Sequence, residues 1–164
     1  MRNGIDTPGL RAVVMTIASA LAVAASLFFG LTLARLGAVA MTVLATATGA
    51  VGLLIFGSWT HGFAIACIAG GLLGASLGIF APLLYAAVMR AVPAEASGQA
   101  VGFLNAAIFI GSFVNPIVLG PLRMIAGLSG HMTVLAGLTV LLGLATLTFV
   151  KIRGPRPVPA IMES

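Results

Sequence analysis

The chain has 164 residues, 60% of them hydrophobic and only 7% charged, with a formal net charge of +5. A soluble domain carries roughly a quarter charged residues, so this mixture cannot clothe a water-soluble surface. The composition predicts an all-α, polytopic membrane protein, with the lipid bilayer as its first partner. The basic residues stand singly near the ends of apolar runs, where they mark topology, and no nucleic-acid partner is expected.

The single cysteine, Cys67, lies inside an apolar run. An intrachain disulfide is therefore impossible, no metal site is supported, and Cys67 reads as a small hydrophobe.

Residues 1–8 form a polar N-terminal tail, with Thr7-Pro8 suited to start a helix. A transmembrane helical domain is expected over 9–151, in five spans. The first covers about 9–33. Its apolar run from Ala12 to Leu33 exceeds the roughly 7–15 residues of a signal-peptide core, and more spans follow, so it reads as a retained helix. Ser19 and Ser26 share one face and read as packing groups among small residues.

Gly30-Leu-Thr-Leu-Ala-Arg35-Leu-Gly37 reads as a tight connection, with Arg35 at headgroup level. The second span covers about 38–57. Its Thr42, Thr46 and Thr48 can bond back to their own helix, so they are assigned no function. Trp59 fits an aromatic belt, and His61 reads as a loop residue.

The third span covers about 63–90, which exceeds what a hydrocarbon core of about 30 Å requires. Gly70, Gly74 and Gly78 recur every four residues and Pro82 continues the register. This ridge predicts close helix packing, and Pro82 predicts a kink. Tyr85 reads as an interface anchor, with a cavity residue as the other reading.

After a loop at 91–97 comes the fourth span, about 98–122. It is apolar yet carries Gln99, Asn105, Ser112, Asn115 and the pair Asn115-Pro116. Gly98 and Gly102 repeat the small-residue spacing. Asn105, Phe109, Ser112 and Asn115 trace one helical stripe, and a polar stripe on a membrane helix should face protein or water. Pro116 removes an amide donor and frees a carbonyl near Ser112. These four residues are the substrate-cavity candidates, with helix packing as the other reading.

Met124 to His131 reads as a loop. The fifth span covers about 132–150, stopped by Lys151 and Arg153. Residues 152–164 are a proline-rich tail.

Five spans put the termini on opposite sides. Arg35, Arg90, Lys151, Arg153 and Arg156 fall on one side, and Arg2, Arg11 and Arg123 on the other. The bias places the C-terminus in the cytoplasm and the N-terminus outside. No span carries a deep Asp, Glu, Lys or Arg. No Ser-His-Asp set, HExxH, CxxC or phosphate loop appears. An enzyme is not expected, nor is a cofactor or a metal.

The order of these features resembles the C-terminal half of a major facilitator superfamily transporter, over about residues 9 to 151. Gly30, Arg35 and Gly37 match the family's Gly-x-Leu-Ala-Asp-Arg-x-Gly cytoplasmic loop, which joins its second and third helices and has a weaker copy between its eighth and ninth. Ala34 stands at the acidic position, so the acid implied to latch the cytoplasmic face is missing, and Thr32 replaces a leucine. The third span, through Pro82 to Arg90 and Pro93, is similar to the family's tenth helix. The stretch from Gly98 to Pro121 looks like the eleventh.

The resemblance implies a partial bundle of helices eight to twelve, lacking the seventh and the N-terminal half. It further implies a secondary transporter of a small solute in the plasma (inner cell) membrane. The missing half, or a second copy, would be its partner. A half-size subunit or a non-transporting scaffold is the other reading.

Overall fold

The computed structural model describes residues 8–58 and 62–153, the side chains of 149–153 excepted. Among them every regular element is helical: α1 (Pro8–Gly57), α2 (Phe63–Ala91), a 3-10 turn (Ala94–Ala96) and α3 (Ser97–Arg153). All three α-helices are long and apolar enough to cross a membrane. Trp59, His61, residues 1–7 of the N-terminal tail and residues 154–164 of the C-terminal tail lie outside the described residues.

α1 and α3 are each two helical segments joined at one glycine. The breaks are Gly37 (φ 77°, ψ 166°) and Gly127 (φ 68°, ψ −174°). Positive φ with extended ψ is a region essentially reserved for glycine, because a Cβ would collide with the backbone there. The connections at 30–37 and 124–131 are thus shorter than the sequence suggests. Helix continues through Gly30 to residue 36, and it resumes directly after Gly127. One glycine of unusual dihedrals is enough to end one helix and start the next.

The packing partners fix the directions of the segments. A methyl group built on Gly70 would come within 2.9 Å of Val14 Cγ1, while Gly74 and Gly78 lie against the backbone of Ala18 and Ala22. Both rows advance by four residues in the same sense, so the opening segment of α1 runs parallel to α2. The segment after Gly37 runs the other way. Gly52 sits over Ala69 and Leu73, Gly49 over Ser76, and Ser76 Oγ donates to the Ala45 carbonyl at 2.7 Å. α1 is therefore a helical hairpin, and α2 packs along both of its arms.

The glycine ridge is what permits this approach. Lipid tails are as apolar as leucine, so helices associate in a bilayer by van der Waals packing and hydrogen bonds. Removing side chains brings two backbones into contact and maximises both. The serines of the first segment are not on this face: Ser19 and Ser26 are exposed, and the packing row is Val14, Ala18 and Ala22.

A small core of Met41, Ala45, Ile79 and Leu83 closes the other end of the hairpin. It is flanked by Ala25, Phe29, Leu33 and Ala38. Thr42 is buried beside it, and its hydroxyl donates to the Ala38 carbonyl at 2.8 Å. Thr46 and Thr48 bond back in the same way, to Thr42 and Leu44. Helix α2 runs continuously through Pro82 with no residue of non-helical dihedrals.

The last segment of α3 packs on the second arm of α1. Gly57 lies beside Met132 and the Ser129 carbonyl, Gly49 beside Thr139, and Gly143 against Thr46. These pairs run in opposite senses, so this segment returns toward the Gly37 end. The Gly37 end thus gathers Arg35, Arg90 and the end of α3, and the far end holds Arg11 and Arg123.

Candidate functional site

The candidate stripe lies on the first segment of α3, residues 97–126. Val92 and Pro93 are extended and terminate α2. The short turn then starts α3: Ala96 N–H donates to the Pro93 carbonyl at 3.1 Å, and Ser97 Oγ donates to the Ala94 carbonyl at 2.7 Å. This segment is antiparallel to α2, yet it shares little surface with it. Residues 106–118 are all exposed.

Asn105 is half-buried and is the one stripe residue held by another helix. The Tyr85 hydroxyl of α2 donates to its Oδ1. Phe109, one turn on, is 66% exposed. Ser112 is exposed, and its hydroxyl donates to the Ile108 carbonyl of its own helix at 2.9 Å. Asn115 is exposed beside Pro116. Pro116 and Pro121 both lie inside the helix. Neither has an amide N–H, so the carbonyls of Ser112 and Ile117 lose their usual helical donors. The stripe is continuous along the helix, and within this chain it faces open space rather than an enclosed cavity.

Tyr85 was expected as an interface anchor or a cavity residue, and its bond to Asn105 was not foreseen. Tyr85 is half-buried and bridges α2 to α3. The available signal was its place one turn after Pro82, in an apolar helix with no other aromatic hydroxyl. His131 was not singled out either. It sits just past the Gly127 break, and its Nδ1 is buried without a hydrogen-bond partner.

The loop-motif residues Gly30, Arg35 and Gly37 are exposed, and nothing lies near a Cβ built on either glycine. Only Gly37 acts as a turn; Gly30 and Arg35 are helical. In the packing set, Gly70, Gly74 and Gly78 are buried at the α1 contact and Pro82 is half-buried.

An open apolar groove of about 420 Å³ runs between α1 and α2, lined by Leu21, Cys67, Ile68, Gly71, Leu72 and Ala75. Cys67 is half-buried there, among hydrocarbon groups. Among the described residues no group of three His, Cys, Asp or Glu could hold a metal ion.

A family model described as Major Facilitator Superfamily matches residues 5–163. No curated protein and no solved structure matches the chain.

Proposed function

The chain belongs to the Major Facilitator Superfamily, whose members are multi-pass membrane transporters of small solutes rather than enzymes, and from that premise we propose that it supplies one wall of a solute path. The observation that carries this reading is the first segment of α3. It is apolar and exposed over 106–118, yet it bears Asn105, Ser112, Asn115 and two prolines along one length. Lipid gives such groups no partners, so a polar stripe at membrane depth belongs against protein or water. A second helical body facing this stripe would complete the path, as transporters built from paired repeats bind solute at the repeat interface.

On this reading the five helical segments are five spans, divided at Gly37 and Gly127 and at the two loops. The Gly37 end is cytoplasmic and the N-terminus is outside. The placing of Arg35, Arg90, Lys151 and Arg153 at one end, against Arg11 and Arg123 at the other, supports this orientation. The host membrane is the cell's inner membrane. The stripe and its surroundings hold no charged side chain at depth, which favours an uncharged solute.

Cysteine accessibility tests the path without knowledge of the solute. In a Cys67→Ala background, single cysteines at Ser112 and Asn115 should react with a small water-borne thiol reagent in native membranes. Cysteines at Phe103 and Val114, on the opposite face of the same helix, should not. Equal protection at all four positions would mean that the stripe faces lipid or sealed protein, and the path would have to be abandoned.

A further inference from the structure

The polar groups in the first segment of α3 sit where a bilayer has nothing to offer them. By the helical rise, Ser112 stands at the middle of the segment 97–126 and Asn115 roughly 5 Å further on. Among the described residues nothing bonds to the Asn115 carboxamide, and Pro116 leaves the Ser112 carbonyl without its helical donor. Lipid supplies no hydrogen bond at that depth. A body that faces the stripe therefore has to carry polar groups, or admit water, at the same depth.

A second copy of the chain meets this requirement by symmetry. Copies inserted with one topology are related by a two-fold axis along the membrane normal, and such an axis sets each residue of the contact opposite its own counterpart at equal depth. Only groups that tolerate themselves suit that arrangement. A carboxamide accepts through its oxygen and donates through its NH₂, and a hydroxyl does both. Asn115 and Ser112 can each bond to their counterparts, directly or through the water of the path. A charged side chain would be repelled by its own copy, and residues 98–122 carry none.

The outline of the helix agrees. At roughly 100° per residue, Gly98, Gly102 and Gly120 fall on the stripe's side of α3. A Cβ built on any of them would meet nothing within 4 Å, which leaves room for a second backbone to approach closely. The bond from Tyr85 holds the segment to α2 at Asn105, while residues 106–118 stay exposed on every side.

We propose that the body completing the path is a second copy of this chain, docked through the stripe face of α3 about a two-fold axis normal to the membrane, with the path on that axis. This rests on the transport reading above and names its partner.

Same-residue crosslinking tests it. Full-length Cys67→Ala chains carrying one further substitution, Gly102→Cys, Ser112→Cys, Phe103→Cys or Val114→Cys, are treated in native membranes with a short bis-thiosulfonate. Only an axis on the stripe brings a residue to its own counterpart. Gly102→Cys and Ser112→Cys should therefore give a linked species of twice the monomer mass, and Phe103→Cys and Val114→Cys should not. Adding Gly102→Leu to the Ser112→Cys chain should cut the linked yield by about five-fold, the factor for a loss of about 1 kcal/mol of helix contact.

Absence of the linked species at both stripe positions overturns the proposal, as do equal yields at all four positions, which random collision gives. A linked species of any other mass overturns it too. If Ser112→Cys reacts with the water-borne reagent but does not link, the path stands and its other wall belongs to a different chain.

Discussion

Gly70, Gly74 and Gly78 of α2 each lie against Val14, Ala18 or Ala22 of α1, whereas a Cβ built on Gly98, Gly102, Gly111 or Gly120 of α3 would meet nothing within 4 Å. Both helices are apolar and glycine-rich, and both repeat the four-residue interval. In α2 the missing side chains allow backbone to touch backbone. In the first segment of α3 the same economy is unused within the chain. A glycine in a helix interior costs about 1 kcal/mol relative to alanine, and in α2 close packing offsets that cost. In the first segment of α3 no contact among the described residues offsets it. The glycine interval thus permits close contact without guaranteeing it, and the fold decides where it is used.

Substitutions can break this comparison. The largest effect is expected at Gly74 and Gly78. Alanine there would drive a methyl group into the backbone of Ala18 or Ala22, which cannot rotate away. A loss of about 3 kcal/mol is expected, at the upper end for overpacking, read as a lower midpoint when the chain is unfolded by denaturing detergent in mixed micelles. A wild-type midpoint for Gly74→Ala would show that α1 and α2 do not pack on this ridge.

A smaller effect is expected at the two breaks. Alanine at Gly37 or Gly127 keeps the packing but forces a side chain into dihedrals that only glycine tolerates, at about 2 kcal/mol each. The same titration reads it.

The smallest effect is expected at Gly102 and Gly111. Alanine there should leave the midpoint unchanged or raise it by up to about 1 kcal/mol through helix propensity. A loss comparable to that at Gly74 would mean that α3 is packed along its length, and the contrast would collapse. A leucine at Gly102 that spares the midpoint yet weakens association with a second helical body would sharpen it.

Much of this arrangement was legible in the residues. The helical segments follow from apolar length, the ridge from its interval, and the threonine back-bonds from the lack of other partners. What the sequence could not supply was direction. Ser19 and Ser26 share a face with small residues, yet the fold turns Ala18 and Ala22 inward, because register is settled by the partner helix. Tyr85 could not be paired with Asn105 by local pattern, since the bond depends on how two helices cross after the turn at 92–96. The breaks at Gly37 and Gly127 were foreseen as loops because clustered glycines suggest them, while the backbone needed one glycine in each. The stripe itself was readable because polar residues in a membrane span stand out against their background. Its exposure was not, since no pattern within a helix says which of its neighbours are present.

The parallel docking of α2 on the opening segment of α1 also has a temporal side. Val14, Ala18 and Ala22 are made early, and their partners Gly70, Gly74 and Gly78 are made only after the second arm. The interface that holds the bundle together is therefore non-local, whereas the hairpin at Gly37 joins neighbouring segments. Closing a longer loop costs more chain entropy, so the ridge carries a larger closure cost than the hairpin.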